Sequence, residues 1–404
     1  MKFFVAGVPF GCNNIGDEAI LAGVVAILRR NFDSPEITVS TALPEETAAL
    51  LNVNAVPLLN FPESKPLNRE ERMRAENALA ASDVFIWSGA TGLSDYPLRG
   101  VGLLEKAARY GVKTVLWGVG MDSTLNPSFF TLRGKKLTLC KLFSALTFRS
   151  VDFVTLAEKY LETRMRRRIA DALSECDLIV VRDPQTSSEL MKYPPRKPIT
   201  IGADSAIIHK NPNLEDLEVL ADDVHKALFG VGKKIGICIS AQRRLNNIDG
   251  MVRLLDELVA EEDRSLFLIP MNPLTDALTM TAIRSRMRNP DRVYLLENCA
   301  EPKHIIAAAS LCDVVISSRL HLLILAANVG TPIVGISRGS KIDNFLEQFG
   351  LSGAGSVSDC DFDKLMEQTL NALENKQSFV ERRNAVYANL EERLQKAETL
   401  LKQI

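Results

Sequence analysis

Short apolar runs rich in β-branched residues alternate along this chain with longer segments whose apolar positions recur every three or four residues. Runs that are apolar throughout predict strands buried on both faces, and the helical-period segments between them predict the crossovers of parallel sheets. Strands are predicted at Phe3 to Val8, Glu36 to Thr41, Asn54 to Leu59, Val84 to Ser88, Thr114 to Val119, Leu178 to Arg182 and Ile199 to Gly202. A second series is predicted at Lys234 to Ser240, Leu266 to Met271, Val293 to Leu296, Val314 to Ser318 and Ile333 to Ser337. Between the series lies Lys210 to Lys226, polar and acidic with the turn signal Asn211-Pro212-Asn213, which separates an N-terminal domain (1–212) from a C-terminal one (213–378). The closing segment, 379–404, repeats apolar residues at Phe379, Val386, Leu390, Leu394, Leu401 and Ile404, the pattern of an amphipathic helix that packs back on the domains. Two Rossmann-like α/β domains with parallel sheets leave a cleft between them, and ligands of such sheets bind beyond the carboxyl ends of the strands.

Length and composition agree with this picture. The 404 residues suffice for two cores, and 46% hydrophobic with 24% charged residues is the balance of a globular protein. A formal charge of -2 argues against a nucleic-acid partner. The seven cysteines are scattered, with no CxxC pair and no histidine at ligand spacing, so reduced thiols in a cytoplasm are expected and no metal site is. The apolar start, Met1 to Val8, is too short for a signal sequence and reads as a strand, and no apolar stretch approaches 18 residues.

One segment breaks the alternation. Residues 130–171 carry ten Arg/Lys against four acids, interleaved with Phe and Leu. Such an insertion reads either as a solvated helix pair or as a peripheral contact with the inner face of the cytoplasmic membrane.

The loops after the strands hold the candidate chemistry. Gly11-Cys12-Asn13-Asn14-Ile15-Gly16-Asp17-Glu18 leads from the first strand into a helix and matches neither the Walker nor the dinucleotide glycine spacing. Asn13, Asn14 and Gly16 suit a hydroxyl-rich ligand, while Asp17 is either a base for a sugar hydroxyl or a helix-start carboxylate. Gly89, after the fourth strand, permits close backbone approach to a ligand or makes a bare turn. Arg182 stands at a sheet's carboxyl edge, placed for two-point binding of an anion or for pairing with Asp183 or Asp204. In Ser317-Ser318-Arg319-Leu320-His321 an apolar strand stops at two serines and an apolar helix starts with a guanidinium and an imidazole. Cations at a helix N-terminus oppose the helix dipole, and a bound anion would reverse that penalty. Arg338 and Lys341, after the next strand, add cations to the same anion pocket, with Ser340 as a helix cap.

These loops resemble those of the polysaccharide pyruvyl transferase family. The likeness runs from Gly11-Cys-Asn-Asn-Ile-Gly-Asp-Glu-Ala-Ile-Leu21, through Val181-Arg-Asp-Pro and Gly202-Ala-Asp, to Ser318-Arg-Leu-His-Leu-Leu-Ile-Leu-Ala-Ala and Gly335-Ile-Ser-Arg-Gly-Ser-Lys. It implies a GT-B-like fold and transfer of pyruvate from phosphoenolpyruvate (PEP) to a sugar as a ketal, with release of phosphate and no cofactor beyond PEP as donor. It implies polysaccharide biosynthesis for the cell envelope, with a sugar acceptor, free or lipid-linked. Carried over by position, it makes Arg182 and Arg319 PEP-binding and His321 essential; Ser318, Arg338 and Lys341 are substrate-binding candidates from their place in the loops alone. Many members have a histidine where this chain has Asn272, which keeps hydrogen bonding but carries no proton near neutrality. Two other readings fit the same residues: a GT-B glycosyltransferase or sugar-nucleotide enzyme, and a sugar-binding homologue without catalysis.

Overall fold

The structure is a computed structural model that describes residues 1–61, 66–148, 150–210, 212, 216, 232–242 and 245–404. The predicted linker from Lys210 to Lys226 falls almost wholly outside the described residues.

Strands β1 (Lys2–Ala6), β2 (Glu36–Thr41), β3 (Asn54–Pro57), β4 (Val84–Ser88), β5 (Lys113–Val119), β6 (Leu178–Val181) and β7 (Ile199–Ile201) form one parallel sheet in the order β3-β2-β1-β4-β5-β6-β7. Strands β8 (Lys233–Cys238), β9 (Arg264–Leu268), β10 (Val293–Leu295), β11 (Val314–Ser317) and β12 (Ile333–Gly335) form a second parallel sheet, β10-β9-β8-β11-β12. Every predicted strand is present, and several end a residue or more early, so that Arg182 and Ser318 fall just past the sheet edge. Central strands such as β4, buried along its whole length, owe their position to helices covering both faces. A two-stranded hairpin, Gly355–Ser356 with Asp359–Cys360, was not predicted; two-residue strands carry no periodicity to read.

Fifteen helices lie among the described residues. In the first half they are α1 (Ile15–Asn31), α2 (Pro44–Leu51), α3 (Arg69–Ala80), α4 (Gly92–Asp95), α5 (Pro97–Arg109), α6 (Gly134–Leu146), α7 (Phe153–Ser174) and α8 (Pro184–Leu190). In the second they are α9 (Ile248–Leu258), α10 (Asp276–Arg284), α11 (Pro302–Leu311), α12 (Leu320–Asn328), α13 (Ser340–Glu347), α14 (Phe362–Glu374) and α15 (Lys376–Leu401). None of the described helices is long and apolar enough to cross a membrane.

One apolar core is shared by both sheets. Helix α1 packs against α11 and α12, so Ile15, Ile20 and Val24 share a cluster with Leu322, Leu323 and Ala327. At this seam Asn328 Nδ2 donates to the carbonyls of Ala206 and His209, both at 2.8 Å. Helix α15 spans the seam as the sequence pattern predicts: Tyr387 donates to Asn328 Oδ1 at 2.6 Å, while Glu398 accepts from Arg30 and, at 2.6 Å, from Asn31 of α1. Burying Tyr387, Leu390, Leu394 and Leu401 along one face gives this helix its place.

Candidate active site

Between the two sheets lies a cavity of about 390 Å³ whose walls come from loops that follow strand carboxyl ends. The loops after β1, β4, β5 and β6 supply Asn14, Asp17, Thr91, Asp95, Asp122, Asn126 and Arg182. The loops after β8, β9, β11 and β12 supply Gln242, Asn272, Arg319, His321, Arg338 and Lys341. Parallel strands all point their carboxyl ends one way, which is why eight separate loops converge on one space.

His321 sits in the first turn of α12, and its Nε2 lies 3.4 Å from Asp204 Oδ2 of the first domain. Arg182 Nη1 is 3.9 Å from the same oxygen, and Arg182 Nε donates to Asp183 at 2.9 Å. Burial alone would raise the Asp204 carboxyl, but His321 and Arg182 hold it below the usual carboxylate range. Asp204 Oδ1 meanwhile accepts from Ala206 N–H at 3.0 Å, fixing the orientation of the carboxylate. Asp204 thus faces a basic side chain of each domain, Arg182 of the first and His321 of the second.

Asp17, in the first turn of α1, is buried and accepts from Asn14 Nδ2 at 2.6 Å. Burial pushes its carboxyl up against the opposing pull of His321, Asn14, Lys341 and Arg319. Its neighbour Glu18 accepts from Gly11 N–H at 2.7 Å and is pushed up to about 7 by burial. Cys12 lines the cavity as well, and burial, with Glu18 and Asp17 nearby, raises its thiol so that the sulfur stays protonated near neutrality.

The predicted cations arrive with partners. Arg319 Nε and Nη2 grip Asp276 at 2.9 and 2.8 Å, and that carboxylate also accepts from Ala241 N–H and Asn272 N–H, both at 3.0 Å. Lys341 Nζ reaches across the cavity to Thr91 Oγ1 at 3.4 Å and to Asp95 at 3.8 Å. Burial lowers the Lys341 ammonium, with Asp95 and Asp122 opposing. Arg338 donates to neutral acceptors, Ser240 Oγ and, at 2.9 Å, Gln242 Oε1. A buried charge without a partner is too costly to keep, so the fold supplies carboxylates that also aim the guanidinium groups.

Several predicted residues have other work. Ser318, buried beneath the cavity, accepts from Ser240 N–H at 2.8 Å and joins the ends of β11 and β8. Gly89, with φ +70, lies under Ile20, and a Cβ there would sit 2.2 Å from Ile20 Cγ2, so its smallness serves the packing of α1 rather than a ligand. Asn13 is exposed with φ +58 and lies outside the cavity lining; it makes the left-handed turn before α1. A Cβ on Gly16 would lie 2.4 Å from His321 Nδ1, so this residue admits the imidazole rather than the ligand. Asn272 lines the cavity, but its Oδ1 accepts from Leu274 and Thr275 N–H, both at 3.1 Å, closing an Asx turn. Ser340 is the first residue of α13 and does not cap it; its hydroxyl donates to Asp122 across the cavity at 3.3 Å.

Sequence reasoning missed Asp95, Asp122, Asn126, Gln242 and Asp276 as parts of the site. For Asp95 and Asp122 the signal was their place after a strand end; Asp276 is four residues from Asn272, with nothing in its spacing to tie it to Arg319.

The fold is shared with proteins whose solved structures hold UDP or a UDP-sugar. Anabaena HepE in complex with UDP-glucose matches with a TM-score of 0.59 at 12% identity over 100% of this chain and 99% of that one. The UDP-GlcNAc 2-epimerase from Neisseria meningitidis bound to UDP-GlcNAc gives 0.58 at 15% identity over 100% of both chains. The S. aureus MnaA structure with UDP gives 0.59 at 10% identity over 95% of this chain and 90% of that one. At these identities the likeness establishes the two-domain, GT-B-like architecture. No curated protein sequence matches the chain significantly. The model of the polysaccharide pyruvyl transferase family matches residues 14–340, a span that begins at the Asn14 loop and ends in the loop of Arg338. A match over most of the chain, containing nearly all of the cavity's polar lining, makes this protein a member of the polysaccharide pyruvyl transferase family, and a transferase.

Proposed function

We propose that the cavity transfers pyruvate from PEP to two hydroxyls of a sugar acceptor, forming a ketal and releasing phosphate. The observation that supports this reading best is that Arg182, Arg319, Arg338, Lys341 and His321, from three loops on two sheets, line one cavity with Asp17. PEP carries a carboxylate and a phosphate, and guanidinium groups held rigidly by carboxylates bind such oxygens in two-point fashion. Arg319 grips Asp276 through Nε and Nη2, which leaves Nη1 to turn to an anion without breaking that buried ion pair.

In this reading His321, kept in place by Asp204, gives a proton to the methylene carbon of PEP, whose C=C electron pair forms the new C–H bond. The first sugar hydroxyl adds to the adjacent carbon and its proton passes to Asp17. The second hydroxyl then attacks the same carbon as the C–O bond to phosphate breaks, and its proton leaves with the phosphate. The proton held by Asp17 restores His321, so that the diol and PEP become ketal and phosphate with no oxidant and no net acid consumed. Burial, which raises the Asp17 carboxyl, makes it a better proton acceptor than an exposed aspartate. Incubation with PEP and candidate sugars, followed by mass spectrometry of the sugar, tests the reading. A product heavier by one pyruvate less one water, with phosphate released in equal amount, is expected; sugar unchanged while PEP binds would overturn it.

A further inference from the structure

We infer that the α6–α7 hairpin is a docking surface for an anionic lipid bilayer. Helix α6 has no buried residue. One side of it, at Leu137, Cys140 and Ser144, is half-buried; the residues between repeat an apolar stripe at Leu139, Leu142, Phe143 and Leu146, spaced i, i+3, i+4, i+7 and 46–66% exposed. Phe148, at the turn after the helix, is 96% exposed and held there by a left-handed backbone, φ +50, that a bulky residue rarely adopts.

Charge selects the partner. Residues 133–148 contain Arg133, Lys135, Lys136 and Lys141 and no acidic residue, and all four cations are exposed. Lys135 and Lys136 stand one turn before Leu139, so their ammonium groups flank the apolar stripe, the arrangement in which a helix lies in the headgroup region with its apolar side toward the acyl chains. Pairing this face with a second copy of itself would oppose like charges, whereas anionic headgroups neutralise them. The 13 residues of α6 are too few to cross a bilayer, which leaves an in-plane position.

The hairpin is firmly rooted beside the active-site cavity. It leaves the loop after β5 that supplies Asp122 and Asn126 to the cavity. At the root, Leu132 N–H donates to Glu158 at 2.9 Å, and buried Arg166 donates to Ser123 carbonyl at 3.0 Å and to Glu162 at 2.9 Å. A bilayer bound by the hairpin is therefore held at a fixed distance from the cavity. The inference needs none of the donor chemistry proposed above and stands or fails separately.

The test is co-sedimentation of the full chain with vesicles of phosphatidylcholine alone or with about one third phosphatidylglycerol. Binding to the anionic vesicles only, weakened by salt, is expected. Leu142→Glu with Phe143→Glu should lower the partition constant at least about tenfold, and Lys135→Gln with Lys136→Gln about 30-fold, because each surface lysine contributes roughly a fivefold factor. All four side chains are exposed, so an unchanged thermal midpoint verifies folding of each variant, and either pair decides the matter alone. Absence of vesicle binding, equal binding to neutral vesicles, or a concentration-dependent dimer that the Leu142/Phe143 pair abolishes would overturn the inference, the last in favour of self-association.

Discussion

Gly16 and His321 meet across the domain seam so closely that a Cβ on the glycine would lie 2.4 Å from the imidazole Nδ1. Helix α1 of the first domain therefore starts where the second domain presents its histidine, and the absence of a side chain at one residue sets the position of another 305 residues later.

Gly16→Ala should displace the imidazole from Asp204. Overpacking at a buried contact costs about 1–3 kcal/mol, and a misplaced proton donor should lose about 10²-fold in turnover. Phosphate release from PEP and the urea midpoint, measured on the same preparation, check both; full activity in the alanine variant would show that the ring position is unimportant.

His321→Ala should remove the proton donor and reduce PEP-dependent phosphate release by about 10²- to 10⁴-fold, with PEP binding retained. Asp204→Asn should give a smaller loss and a shifted pH profile, since the carboxylate acts through the histidine. A rate near that of the parent protein for His321→Ala would remove this residue from the reaction.

The pair Arg319 and Asp276 is a rigid fork, with the carboxylate completely buried. Asp276→Ala leaves a buried guanidinium uncompensated, along with the N–H groups of Ala241 and Asn272. A loss of about 3–5 kcal/mol in unfolding free energy is expected. A double-mutant cycle with Arg319→Met measures the coupling, and a coupling near zero would contradict the geometry.

Glu18 gives the protein a pH dependence near neutrality. Its folded-state pKa is raised from 4.5 to about 7, so the folded state binds a proton more tightly than the unfolded chain does. Stability from this group is full below pH 4.5, declines as pH rises toward about 7, and stays lost above it. Asp204 works in the opposite sense: its lowered pKa adds stability above the ordinary carboxylate range that disappears only as the pH falls through its folded value. Glu18→Gln, which keeps an acceptor for Gly11 N–H, should flatten the decline and gain roughly 1–3 kcal/mol at pH 8. Urea midpoints across pH 4 to about 8 show whether the slope disappears.

PEP should raise the thermal midpoint more than UDP-glucose or UDP-GlcNAc do. A ligand at 100 times its dissociation constant stabilises by about 2.7 kcal/mol, and Arg338→Met should weaken the PEP effect. Stabilisation by the UDP-sugars with none by PEP would favour a sugar-nucleotide enzyme instead.

All twelve predicted strands were legible because a strand covered on both faces needs a short, wholly apolar run, and β4 or β11 can hardly be read otherwise. Their order in the sheets was not, since hydrophobic pattern records burial but not which neighbour provides it. The same limit applies to the site. Arg182, Arg319, His321, Arg338 and Lys341 stand out as polar residues at the ends of apolar strands, and their loops carry the family resemblance. Asp276, which aims Arg319, lies in an ordinary helix start, and Asp204 reads as a possible partner of Arg182; the contacts of Asp276 with Arg319 and of Asp204 with His321 join residues 43 and 117 apart in the chain. Gly89 and Gly16 read equally well as ligand-facing until Ile20 and His321 are seen against them. The sequence by itself determined the two parallel sheets, the helix over their seam and the family's loops, because these follow from local periodicity and short motifs. Only the tertiary structure decided which cation meets which carboxylate and which apolar stripe stays bare, because those depend on contacts between residues far apart in the chain.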